Sequence, residues 1–264
     1  MVHSAGGYQR AEPEGSPPGN TPASVAAWFG RSTCPPGSTH LLFCLPLAGG
    51  GASLFATWQR VIGTAIEVLP IQLPGREARF TEPVSHSPDD IAAAVAVRAN
   101  RPYAIYGHSM GGRLGFEVIR SLSRIGAPLP VRFYPAAARP PDHPEKFGDI
   151  SQYGDDEFLD ALAERLGAPN ELRDQPELRD LLLPLLRADF DWVSKYRPSP
   201  GPPLPVPFVA IAGADDSEPT PQEMQDWARY TAASFRQHTL PGGHFFLRTA
   251  TRELVELIRY DLLT

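Results

Sequence analysis

Cysteine is nearly absent from this chain, and the two that occur, Cys34 and Cys44, form no pattern. They are too few for a disulfide framework and lack metal-ligand spacing; Cys44 lies in an apolar run where a plain buried thiol is expected. A reducing compartment follows, so the expected location is cytoplasmic. No apolar run reaches the roughly 20 residues needed to cross a bilayer, which argues against a membrane protein. Basic charge is in deficit: 24 Lys and Arg against 30 Asp and Glu leave a net charge of -6. With no clustered basic face, nothing here suits a nucleic-acid partner. The seven histidines include no pair at zinc-ligand spacing on a helix, so no metal is expected, and no cofactor either. The N-terminal stretch through about Pro22 has no apolar core and fails the test for a signal peptide. Residues 1–24 read as a disordered tail, leaving 25–264 for one folded domain.

What is present is ordinary for a soluble globular protein: 42% hydrophobic and 20% charged residues over 264 positions. That length accommodates one α/β domain with an insertion. Thirty prolines help to mark the boundaries. Val25 to Phe29 reads as a helical turn or short edge segment, and Leu41 to Leu45 as a buried strand ending at Pro46. From Ser53 the period changes, with Leu54, Phe55, Trp58, Val61 and Ile62 on one helix face. Ile66 to Leu73 is strand-like. Ser87-Pro88-Asp89-Asp90 is a helix start, with a cap, a proline in the first turn and early acids. Further strands are expected at Tyr103 to Tyr106, Val131 to Tyr134, Phe208 to Ala212 and Phe235 to Leu240, with a closing helix from Arg252 to Leu263. Strands alternating with helices argue for a mostly parallel central sheet with helices on both faces.

The interval from about 140 to 205 breaks that alternation. It holds two helical pieces, Asp155 to Leu166 and Pro176 to Tyr196, the second interrupted at Pro184. Its leucine stripes predict a helical lid over the carboxyl ends of the strands; a helical hairpin closing ordinary core is the alternative.

The chemistry centres on Gly107-His108-Ser109-Met110-Gly111, a G-x-S-x-G pattern between an apolar run and a helix. That is the context of a nucleophile elbow, in which glycines 107 and 111 permit the tight turn and Ser109 is held strained and exposed. In open α/β sheets sites form beyond the carboxyl ends of strands. Gly213-Ala214-Asp215-Asp216 and Pro241-Gly242-Gly243-His244 also follow strands, so a serine, an acid and a histidine come in the order of an α/β-hydrolase. Ser109 is the expected nucleophile and His244 the base that takes its proton. Asp216 is the preferred acid to orient the imidazole, with Asp215 in reserve. His108 is read as structural. The expected oxyanion donors are the N–H of Met110, after the nucleophile, and that of Ala48, in the Pro46–Gly50 loop.

Five motifs in order resemble those of the stand-alone type II thioesterases that accompany polyketide synthases and nonribosomal peptide synthetases. They are Leu45-Pro46-Leu47-Ala48-Gly49-Gly50, Gln72-Leu73-Pro74-Gly75-Arg76-Glu77-Ala78-Arg79, the elbow, Leu183-Pro184-Leu185-Leu186-Arg187-Ala188-Asp189-Phe190, and Leu240-Pro241-Gly242-Gly243-His244-Phe245-Phe246. The resemblance covers the chain from about Ala26. It implies hydrolysis of acyl groups from the phosphopantetheine arm of an acyl or peptidyl carrier protein, a transient partner, by a monomer whose helical insertion is a mobile lid. Leu47 stands where the family usually has histidine, the stretch Ala136–Pro140 departs from the family's Gly-Arg-Arg-Ala-Pro-like sequence, and Ser217 replaces the proline after the acid. Arg76 and Arg79 are candidates to contact the pantetheine phosphate or an acidic carrier, the alternative being solvated side chains or pairs with a nearby acid. A carboxylester hydrolase acting on free small esters, and a catalytically silent scaffold, are the competing readings.

Overall fold

Leu41 to Leu45 are almost wholly buried, as an apolar run without alternation requires when both of its faces are covered. In the computed structural model, which describes residues 25–30, 35–144, 150–166 and 175–264, this run is the second position of a six-stranded sheet. The expected tail at 1–24, and Cys34, lie outside the described residues.

The strands are β1 (His40–Leu45), β2 (Ile66–Pro70), β3 (Tyr103–His108), β4 (Arg132–Ala136), β5 (Phe208–Gly213) and β6 (Phe235–Leu240). Their order across the sheet is β2-β1-β3-β4-β5-β6, with every neighbouring pair parallel. Helices between them are α1 (Trp58–Ile62), α2 (Pro88–Arg98), α3 (Met110–Arg124), α4 (Asp155–Leu166), α5 (Pro176–Lys195) and α6 (Pro221–Met224), and α7 (Phe246–Thr249) and α8 (Thr251–Leu263) follow β6. The fold is α/β with helices on both faces, as the alternation predicts.

Successive strand residues point to opposite faces and so divide the core in two. Phe43, Ile105, Phe133 and Phe208 enter one cluster, with Val118 and Leu122 of α3 and Val95 of α2. Leu42, Tyr106, Tyr134 and Val209 enter the other, with Trp58 of α1 and Leu254 and Ile258 of α8. A third cluster belongs to the insertion: Phe158 and Leu162 of α4 pack with Leu183 and Phe190 of α5.

Two details differ from the sequence reading. The helix expected from Ser53 is two pieces, a 3-10 turn at Ala52–Phe55 and then α1; both still bury their apolar side, through Phe55, Trp58 and Ile62. Helix α5 runs through Pro184 without interruption. Pro184 is solvent-exposed, so the carbonyl that its missing N–H leaves unpaired can be hydrated, while buried Leu183 and Leu185 hold the helix in place. By contrast, a helical turn forms as expected at Val25–Trp28, as 3-10, and Phe29 then bridges Ile71. Ser87 likewise caps α2 as expected, its hydroxyl accepting from Asp90 N–H.

Candidate active site

Strand β3 ends at His108, and Ser109 follows at φ 54 and ψ -117, a strained conformation for a residue with a side chain. The positive φ falls on Ser109 itself and not on the flanking glycines. Those glycines are required for clearance instead. A Cβ on Gly107 would strike the backbone of Gly111, and one on Gly111 would strike the carbonyl oxygens of Leu45 and Pro46. The elbow therefore packs directly against the start of the loop that follows β1.

Strand β5 ends at Gly213 and β6 at Leu240, and the loops beyond them deliver the other two groups. His244 Nε2 is 2.9 Å from Ser109 Oγ, and His244 Nδ1 is 3.1 Å from Asp216 Oδ2. With Nδ1–H donating to the carboxylate, Nε2 is free to accept from the serine hydroxyl. Asp216 is buried, and its other oxygen accepts from Glu218 N–H at 3.0 Å. Asp215 is exposed. The geometry thus joins Ser109, His244 and Asp216 and leaves the reserve acid out.

Behind this line lies a support that sequence reasoning assigned only as structural. His108 is fully buried; its Nδ1 accepts from Tyr106 Oη at 2.9 Å and its Nε2–H donates to the backbone oxygen of His244 at 2.7 Å. Burial, and then the neighbouring His244, lower its pKa to about 3, so it stays a neutral donor to that oxygen.

Of the two expected oxyanion donors, Ala48 lies in the turn after β1 and Met110 directly follows Ser109. Met110 is the first residue of α3, where helix N–H groups lack intrahelical partners. Gly50 N–H closes a turn onto Leu47 O at 2.9 Å, with Ala48 and Gly49 as its central residues and Gly49 at φ 73. Leu47 is buried in the second core cluster.

Arg76 and Arg79 are buried and paired with acids inside the molecule, although Arg76 Nε has no hydrogen-bond partner, and this removes the expectation that they meet a phosphate or a carrier. Arg79 grips Glu82 at 2.8 and 2.6 Å and lies 4.3 Å over the Trp28 ring. Arg76 makes a two-pronged pair with Asp189 of α5 at 2.9 and 2.8 Å, and also donates to Gly50 O at 2.9 Å. His86, in the loop before α2, joins the same carboxylate at 2.5 Å. These partners are 113 and 103 residues apart in sequence. An acid inside an apolar helical stripe was the available sign for Asp189; His86 carries no local signal at all.

Among the described residues no cluster of His, Cys, Asp and Glu is arranged to hold a metal ion. No helix among them is long and apolar enough to cross a membrane.

The thioesterase domain family model matches residues 40–262. Linear gramicidin dehydrogenase LgrE of Brevibacillus parabrevis is 36% identical over 84% of this chain and 87% of its own. Gramicidin S biosynthesis protein GrsT of Aneurinibacillus migulanus is 33% identical over 89% of this chain and 94% of its own. Among solved structures, the RedJ thioesterase of the prodiginine biosynthetic pathway in Streptomyces coelicolor superimposes with a TM-score of 0.77 at 32% identity, covering 90% of this chain and all of the other.

Proposed function

Because the chain belongs to the thioesterase domain family, we propose that it is a serine thioester hydrolase that releases acyl groups from the phosphopantetheine arm of carrier proteins. Its service is the removal of stalled or wrong acyl chains from a polyketide or nonribosomal peptide assembly line, in keeping with the biosynthetic pathways named for its relatives. The observation that carries this reading is the 2.9 and 3.1 Å line from Ser109 through His244 to Asp216 at three strand ends. The dehydrogenase in the name of the Brevibacillus relative is not extended to this chain. The β3–α3 turn holds a serine elbow, and the turn after β1, Gly49-Gly50-Gly51-Ala52-Ser53-Leu54, is not the G-x-G-x-x-G turn of a dinucleotide site.

In the proposed reaction Ser109 Oγ attacks the thioester carbon as His244 Nε2 takes its proton, and Asp216 stabilises the imidazolium. The developing oxyanion is met by the N–H groups of Met110 and Ala48. The neighbouring candidates are already committed: Ser109 N–H donates to Ala136 O, and Gly49 N–H to Asp189. The carbon–sulfur bond then breaks, the proton on His244 goes to the departing thiolate, and an ester on Ser109 remains. Water, deprotonated by His244, attacks that ester; the free acid leaves and the serine is restored. A thiolate is a good leaving group, so the acid step demands less of His244 than it would for an amide.

Helices α4 and α5 act in this reading as a lid over the acyl chamber. The insertion has a core of its own and reaches the site through Ala48 and Leu186, which pack against that cluster. We read the working form as a cytoplasmic monomer that meets its carrier transiently.

The test is release of acyl groups from a carrier loaded with acetyl, propionyl, longer and branched chains, followed by intact-protein mass spectrometry. Wild type should release them, and Ser109→Ala should lose up to about a millionfold in turnover, as triad enzymes do when the nucleophile is removed. No release from any carrier, together with good hydrolysis of p-nitrophenyl esters, would replace this reading with that of a free-ester hydrolase.

A further inference from the structure

Asp189 sits in the motif Leu183–Phe190 and Arg76 in the motif Gln72–Arg79, and neither stretch supplies a reacting group. The structure brings both to the loop after β1. Gly49 N–H donates to Asp189 Oδ2 at 2.7 Å, and Arg76 Nη1 donates to Gly50 O at 2.9 Å. Resting on the hydrolase reading above, we infer that Asp189 is a positioning residue for the oxyanion loop, clamping the Ala48–Gly49 peptide from the lid helix α5.

The need for a clamp follows from the sequence of the loop. Gly49, Gly50 and Gly51 are consecutive, and glycine loses more conformational freedom on ordering than any other residue. A donor that stabilises an oxyanion must nevertheless be held to within about half an ångström. The turn Leu47–Gly50, with positive φ at Gly49, is of the kind that interconverts with its neighbour type by flipping the central peptide. That central peptide is Ala48–Gly49. In one orientation its N–H meets the Asp189 carboxylate; flipped, the Ala48 carbonyl would face the same negative oxygen and be repelled. Asp189 therefore selects one turn and pins Ala48 from its carboxyl side, at one end of the residue whose own N–H, in the preceding Leu47–Ala48 peptide, is the proposed donor.

The carboxylate is itself fixed. It is fully buried and accepts four hydrogen bonds, from Gly49, twice from Arg76 and from His86, which fills its acceptor sites. Burial by itself would raise its pKa, but the bonds from His86 and Arg76 outweigh this and hold it below the usual carboxylate value, so it is ionised. On the other side of the loop, Glu77, at φ 47, accepts from Ser53 N–H at 3.1 Å and Ser53 Oγ at 2.5 Å. Leu186, one turn before Asp189 on α5, lies so close to Gly49 that a Cβ there would overlap it. Lid helix and oxyanion loop are thus packed directly against one another.

The experiment compares wild type, Asp189→Asn and Arg187→Gln. Arg187 ties α5 to Asp155 and Tyr153 inside the insertion and serves as the structural control. Each protein is titrated with a fluorophosphonate so that rates are expressed per active serine. Two pantetheine analogues are then bound: a trifluoromethyl ketone, which forms an oxyanion on Ser109, and a thioether, which cannot. For Asp189→Asn the expected outcome is a kcat per titrated site lower by roughly ten- to hundredfold, short of outright loss of a donor. Affinity for the ketone should fall in parallel, with KM and the thioether Kd within about threefold. Arg187→Gln, which loosens the insertion, should shift the two analogues alike and show no loss selective for the ketone even where its Tm falls. The inference is overturned where Asp189→Asn leaves kcat per site within about twofold of wild type, or weakens both analogues equally. Should Asn at 189 not yield folded protein, Arg76→Lys keeps the charge but gives up the two-pronged grip and is judged by the same two analogues. A wild type that neither labels nor turns over thioester defeats the hydrolase reading itself, and does so before any variant is made.

Discussion

At the scale of single residues, two adjacent aspartates separate cleanly. Asp216 is buried and 3.1 Å from His244 Nδ1, whereas Asp215 is exposed. An amide in place of the orienting carboxylate favours the wrong imidazole tautomer, a change worth about ten-thousandfold in kcat in triad enzymes. Asp216→Asn is expected to lose on that order in carrier-thioester turnover, and Asp215→Asn to stay within about threefold. Equal losses in the two variants would show that the loop, not the particular carboxylate, matters. Neighbouring positions two residues apart at the elbow divide labour in the same way: Ser109 takes the strained backbone, and Gly111 takes the close approach.

At the scale of elements, the decisive contact is between the elbow and the loop after β1. Gly111 lies in the first turn of α3, and its missing side chain leaves room for the carbonyls of Leu45 and Pro46. Gly111→Ala is favourable by helix propensity alone, by up to about 1 kcal/mol. The clash is with backbone, which cannot rotate aside, so the steric effect wins. The variant should lose a hundredfold or more in kcat, about what removal of an oxyanion donor costs, with a lower Tm. Unchanged kinetics would mean that the β1 loop does not set the oxyanion site. The same loop is held from above by α5, so one short segment answers both to the sheet and to the insertion.

At the scale of the whole molecule, His108 links global stability to pH. Its pKa is about 3 in the folded protein against an ordinary 6.5, chiefly because it is buried and next because of His244. Between these values the unfolded chain binds the proton and the folded one does not. Stability therefore falls as pH drops from about 6.5 toward 3, at up to about 1.4 kcal/mol per pH unit from this group. Urea unfolding of wild type and His108→Asn through that window should give a steeper pH dependence for wild type, by about 1 kcal/mol per unit. Parallel curves would mean that His108 becomes protonated without opening the structure.

The chain's own order of residues determined the alternation of strands and helices, the cap of α2, the elbow at Ser109, and the serine, acid and histidine at three strand ends. These are local signals: a period of side-chain burial, a turn residue, a proline where a helix begins. Interruption of the Ser53 helix and continuity of α5 through Pro184 were decided instead by which faces found a core to pack against. Tertiary structure also decided the fate of Arg76 and Arg79, which a local reading left as candidate anion contacts and which are internal pairs. It alone joined Asp189 to His86 and to Gly49, 103 and 140 residues away. A carboxylate in a helix has the same local sequence whether it faces water or a buried guanidinium. Only folding fixes which, because the desolvation that forces a buried charge to find partners exists only once the chain has closed around it.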